Sequence, residues 1–112
     1  MTLRIQQSIF AQNVAKLINE IFKSGYYCTL GESYRPPETA ALYETQGRGI
    51  KDSNHCKRLA IDINLFDHNG NYLIDGGSYK RFGDWWTTLH IDNRWGGDFE
   101  RRDYVHFELN MK

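Results

Sequence analysis

The chain has 112 residues, 40% of them hydrophobic and 14% aromatic, enough for one modest core and so for a single domain spanning 1–112. Fourteen Lys and Arg balance fourteen Asp and Glu without runs of like charge, which disfavours nucleic acid as a partner. No apolar stretch approaches the ~20 residues of a membrane span, and the N-terminal segment has no export-type apolar run, so we expect neither membrane insertion nor a signal peptide.

The first predicted element is an amphipathic helix. Ile9, Phe10, Val14, Leu17, Ile18, Ile21 and Phe22 recur at three- and four-residue steps, and Gly25 stands as its stop. Tyr26 to Tyr34 reads as a strand. Arg35 follows, and Pro36-Pro37 then opens a short helix that continues through Gln46 until Gly47 and Gly49 break it. Residues 47–54 form a polar loop leading to His55. Within it, Ser53 either orients His55, bonds a substrate, or satisfies loop backbone.

Leu59 to Leu65 alternates with a period of two. Leu59, Ile61, Ile63 and Leu65 face a core, while Ala60, Asp62 and Asn64 share the other face. Residues 67–71 are a turn that places His68 in solvent, and Tyr72 to Ile74 is expected to return as a partner strand. A second long helix is predicted over 78–91, with Tyr79, Phe82, Trp85, Trp86 and Leu89 on its buried side and His90 near its C-terminal dipole. Trp95 to Phe99 is a Gly-rich loop in which Asp98 is a candidate to bond a ligand amide. In the last predicted strand Val105, Phe107 and Leu109 form one face, and Tyr104, His106 and Glu108 the other.

Two strands therefore present metal-type ligands from their non-core faces, with His55 just upstream of the first. His55, Asp62 and His106 make a three-ligand set suited to a catalytic zinc, whose fourth position is left for water. Cys28 and Cys56 form neither a disulfide framework nor a zinc ribbon. We read both as free, partly buried thiols, with Cys56 a rival ligand by its position next to His55.

Ser-x-His-x6-Asp, followed some forty residues on by Asp-x-x-His-Phe-Glu, resembles the zinc peptidases that cut D-amino-acid-containing bonds of the bacterial cell wall. The resemblance runs from about residue 26 to residue 109. That family includes D-alanyl-D-alanine carboxypeptidases and dipeptidases, and the L-alanyl-D-glutamate endopeptidases of phage endolysins. It shares its fold with the Hedgehog signalling domain. One departure is visible: many members carry Gly three residues after the first His, where this chain has Arg58.

The resemblance implies an α+β fold, with a small antiparallel sheet packed by helices on one face and open as a zinc cleft on the other. It implies that Asp103, three residues before the last His, is the general base. To reach the site from there Asp103 must lie on a bend ahead of the strand. It also implies that Arg35 binds substrate oxygen, a task suited to the planar, always-charged guanidinium. The Trp95–Phe99 segment would border the cleft, with Trp95 either an exposed substrate platform or a structural plug. The expected function is zinc-dependent cleavage of the L-alanyl-D-glutamate bond in peptidoglycan by a monomeric phage-type endolysin. Such an enzyme waits in the host cytoplasm until the membrane is permeabilised. A D-alanyl-D-alanine carboxypeptidase or dipeptidase, and a non-catalytic zinc-containing binding module, remain the alternatives.

Overall fold

The computed structural model describes residues 1–49 and 53–111, so the middle of the polar loop before His55 lies outside the described residues. In chain order the elements are helix α1 (Leu3–Lys23), strand β1 (Tyr27–Leu30), helix α2 (Pro37–Thr45), strand β2 (Ala60–Phe66), helix α3 (Gly76–Leu89) and strands β3 (Asn93–Trp95) and β4 (His106–Leu109). Short 3-10 turns occupy Asn54–Lys57 and Gly96–Asp98. The strands form one antiparallel sheet in the order β1-β2-β4-β3. The fold is α+β, as expected. No helix among the described residues is long and apolar enough to cross a membrane.

Helices α1 and α3 start where a side chain satisfies a free N–H group, while α2 opens on Pro36-Pro37 without a side-chain cap. Thr2 Oγ1 accepts from Ile5 N (3.2 Å), and Asp75 Oδ2 accepts from Ser78 N (2.9 Å). α1 and α3 then cover one face of the sheet. Phe10, Leu17 and Ile21 of α1 meet Tyr79, Phe82 and Trp86 of α3 over Ile61, Ile63, Leu65, Phe107 and Leu109, all buried. Trp86 stands edge-on to Phe10 and Phe107, at 5.8 and 6.0 Å between ring centres. Its buried indole N–H finds the carbonyls of Arg94 and Glu108, each at 3.1 Å.

Three expectations differ from the structure, the first being the strand expected over Tyr26 to Tyr34, which is confined to Tyr27–Leu30. Tyr72–Ile74 does not pair as a strand. Tyr72 makes a single bridge to Phe66, and Leu73 N donates to Leu65 O (2.9 Å) before α3 begins. The Tyr79 hydroxyl holds that crossing by donating to Leu73 O (2.9 Å) and accepting from Leu65 N (3.0 Å). The Trp95 segment, expected to be all loop, begins as β3 and pairs with β4 through Asn93↔Leu109, Arg94↔Glu108 and Trp95↔Phe107.

Trp95 itself is 3% exposed, which removes the substrate-platform reading. Its ring fills the space over two glycines: a Cβ on Gly83 or on Gly97 would lie 2.1 or 2.3 Å from ring carbons. A glycine inside α3 costs helix stability, about 1 kcal/mol against alanine, and here it is what lets β3 approach. The indole N–H donates to Tyr104 O (2.8 Å), so Trp95 is a plug that anchors the approach to β4.

Candidate metal centre

The sheet's other face carries the chemistry. Asp62 and His106 are directly paired across β2 and β4, which brings their side chains together on that face. His55 reaches the same point from the 3-10 turn before β2. Ser53, largely buried at the cleft, caps that turn by accepting from His55 N (3.2 Å). The turn ends on Arg58 in the left-handed conformation (φ 57°), with its guanidinium 4.0 Å from the Tyr34 ring centre. The conformation that glycine adopts readily is thus taken by arginine at the one position where the motif departs from the family pattern.

His55 Nε2 lies 3.3 Å, and His106 Nδ1 3.6 Å, from the same oxygen, Asp62 Oδ1. One ligand atom from each residue lies within 4.8 Å of the others. Ligand bonds of about 2.0–2.2 Å at tetrahedral angles put neighbouring ligand atoms about 3.3–3.6 Å apart. Asp62 Oδ1 is buried and has no hydrogen-bond partner, a costly arrangement unless a cation occupies the position it faces. Two imidazoles and a carboxylate are the donor types zinc prefers, and the residues therefore fit a zinc ion. Cys56 is half-buried and not one of the three.

Each histidine is held by its other nitrogen. His55 Nδ1 is 3.1 Å from Ser33 O, while His106 Nε2 is 2.7 Å from Glu108 Oε1. Segment 31–35 wraps His55: Asp62 N donates to Glu32 O (2.8 Å) and Arg35 N to His55 O (3.1 Å). Arg35 lines the same cleft and is ion-paired through its Nε and Nη2 with Glu32, with its Nη1 beside Gly49.

Asp103 sits ahead of β4, on a bend. Its N donates to Gly96 O (2.9 Å) and its O accepts from His106 N (3.2 Å). Gly96 is required there, since a Cβ would fall 2.1 Å from the Asp103 carbonyl. The Asp103 carboxylate, half exposed, comes 4.0 Å from His106 Nδ1. It is thus beside the His106 nitrogen that faces Asp62, outside the cluster of three groups that could hold a metal ion. The surrounding cleft holds about 850 Å³ and is also lined by Asp98, Phe99, Arg94, Arg101 and Arg102.

Electrostatics follow from these contacts. Burial alone would raise the Asp62 carboxyl, but His106 and His55 override it and hold it far below the usual carboxylate range. Burial opposes charge on His106, yet Asp62 and Glu108 win and push it up to about 9. Burial raises the Asp103 carboxyl and Asp62 adds to that, against the pull of His106, His55 and Arg35. A carboxylate made more basic in this way is a better proton acceptor near neutral pH.

The site so built is that of a zinc hydrolase. The sequence profile of the D-alanyl-D-alanine carboxypeptidase family matches residues 46–109, and the chain belongs to that family. It is accordingly a zinc-dependent metallopeptidase of peptidoglycan. No curated protein sequence matches it.

Among solved structures, the L-Ala D-Glu endopeptidase ChiX of Serratia marcescens is similar with a TM-score of 0.70 and 16% identity, over 88% of this chain and 79% of that one. A mutant of the vancomycin-resistance D,D-pentapeptidase VanY from a VanB-type cassette, in complex with Zn(II), is similar with a TM-score of 0.60 and 16% identity, over 89% and 70%. At these identities the likeness is one of fold.

Sequence reasoning did not find Ser33, Glu32 or Arg94. Ser33 acts through a backbone carbonyl, which leaves no mark in the sequence. Arg94 shows its role only once β3 is known to pair with β4.

Proposed function

We propose that the chain, as one domain over 1–112, cleaves the L-alanyl-D-glutamate bond of peptidoglycan stem peptides, with His55, Asp62 and His106 as the zinc ligands. When bound, zinc supplies an acidified water of pKa near 7 and a polarised scissile carbonyl. Asp103 takes the proton of the attacking water and then gives one to the leaving amine. The Arg35 guanidinium donates to the oxygen that gains negative charge in the transition state. Asp98, exposed on the cleft wall, bonds a substrate amide.

The observation that carries the endopeptidase reading is the fold likeness to ChiX, an L-Ala D-Glu endopeptidase, with a TM-score of 0.70 against 0.60 for the D,D-pentapeptidase VanY. The family's own description favours cleavage of D-alanyl-D-alanine instead, which is the second reading. Asp103 and Arg35 both line the cleft, which supports catalysis over a zinc-containing binding module. The biological setting that fits is phage-type lysis by a monomer that reaches the wall once the membrane is permeabilised.

Digestion of purified sacculi with the zinc-loaded protein tests this directly. Mass spectrometry should find glycan strands ending in lactoyl-L-alanine and peptides with new D-glutamate amino termini. Free D-alanine as the only product would overturn the endopeptidase reading in favour of the carboxypeptidase.

A further inference from the structure

The structure assigns Glu108, clamped by Arg94, as a positioning residue that sets metal affinity by fixing His106 in the tautomer whose Nδ1 faces the metal. The proposal rests on His106 being a ligand, as read above. Both Glu108 oxygens are engaged: Oε1 with His106 Nε2 at 2.7 Å, Oε2 with Arg94 Nε and Nη2 at 2.8 and 2.6 Å. The Glu108 side chain is 5% exposed. An ionised carboxylate only accepts, so the imidazole hydrogen must sit on Nε2, which leaves the Nδ1 lone pair for the metal. Neighbouring negative charge also makes that imidazole a stronger donor.

The clamp is built by register. Arg94 and Glu108 are cross-strand partners, and Glu108 is two residues from His106 on the same face. Arg94 is half exposed on the cleft wall and holds the second oxygen, so the carboxylate cannot rotate off the histidine. With both oxygens occupied, Glu108 is unsuited to be the general base. The contrast with His55 matters for the test: its anchor is the Ser33 carbonyl, which no side-chain substitution removes.

The test measures zinc affinity of the purified full chain by competition with a chromophoric chelator, beside the melting temperature of the metal-free forms. Loss of an outer-shell partner typically costs about 10–100-fold in metal affinity, and we expect that loss for Glu108→Ala. Glu108→Gln should recover most of it, because the amide oxygen accepts the same bond without the charge. Arg94→Met should weaken binding less than Glu108→Ala, with the fold intact.

A purely structural Glu108 would lower stability without this graded affinity. Zinc affinity within twofold of wild type in Arg94→Met and in Glu108→Ala, or in Glu108→Leu should Glu108→Ala not fold, would overturn the proposal. His106→Ala, measured in parallel, separates the two levels of inference. If it keeps zinc, the ligand reading falls and this proposal with it. If it loses zinc while the Glu108 and Arg94 variants bind normally, only this proposal falls. The assay involves no peptidoglycan, so it is independent of which bond is cut.

Discussion

Strand β4 carries both faces of the sheet in four consecutive residues, His106 to Leu109, and all four are buried. The causes differ. Phe107 and Leu109 are covered by α1 and α3, in a layer made mostly of apolar side chains. His106 and Glu108 are covered by one another, by Arg94 and by Asp62, and every polar atom they bury has a charged or hydrogen-bonding neighbour. Equal burial thus reports a core on one face and a constrained ligand set on the other. The packed face determines whether the chain folds, and the cleft face determines what the folded chain holds.

The largest effects should come from the cleft face. His106→Ala, and likewise His55→Ala or Asp62→Ala, should leave a folded chain without stoichiometric zinc and without measurable peptidase activity. Elemental analysis beside far-UV circular dichroism reads this, and stoichiometric zinc in all three variants would place the metal elsewhere. Asp103→Ala should keep both fold and zinc while turnover falls by about 100- to 10,000-fold, the usual cost of removing a general base. Near-normal turnover would require another base, and Glu108 would then have to leave its clamp.

The opposite outcome is expected one residue along. Phe107→Ala should cost about 3–5 kcal/mol, as large-to-small changes in a packed core do. That is a large share of the about 5–15 kcal/mol of a small domain. Urea unfolding of the metal-free protein measures it. A loss below about 1 kcal/mol would mean that the helices do not pack this face as tightly as its complete burial implies.

The two faces were not equally legible in the sequence. The alternation through Ile61, Asp62 and Ile63, and through His106, Phe107 and Glu108, assigns residues to faces, because side-chain period and strand period coincide. That Asp62 would stand directly opposite His106 is a matter of register, which alternation does not set. β3 was hidden by its length, three residues between a helix and a Gly-Gly pair. Without β3, Trp95 looks like an exposed loop aromatic and Arg94 like a surface charge. Gly83 and Gly97 held the missing information, since both are glycine where the Trp95 ring lies.

A pH experiment sharpens the contrast on the cleft face. In the metal-free protein His106 is raised from 6.5 to about 9, so its charged form stabilises the fold fully below pH 6.5 and ceases to as pH climbs through 9. Asp62 is lowered from 3.8, so its contribution is present above that value and lost as pH falls beneath it. The metal-free melting temperature should therefore be highest between about pH 4 and 6.5 and fall toward pH 9.5. Zinc needs the neutral imidazole, so the gain in melting temperature on adding zinc should grow over the same rise in pH. A metal-free melting temperature that is flat from pH 6 to 9.5 would show that His106 is not held charged by its carboxylates.

The smallest effect belongs to the turn that links the faces. Arg58 has φ 57° and ψ 36°, a conformation that costs an L-residue about 1–2 kcal/mol and glycine little. Its guanidinium lies over Tyr34, an exposed cation–π contact of about 0.5–1 kcal/mol that glycine would forfeit. Glycine would also make the unfolded chain freer, which works against it. The terms nearly cancel, so Arg58→Gly should move stability by less than about 1 kcal/mol and leave zinc content unchanged. Arg58→Val should do worse than either, since a β-branched residue is strained at positive φ and has no charge to stack. Melting temperatures in the order Gly near Arg, both above Val, would show that the turn needs the backbone conformation and not the arginine. If Val matched Arg, the left-handed turn would be too soft to matter, and His55 would owe its position to the Ser53 cap and the Ser33 carbonyl alone.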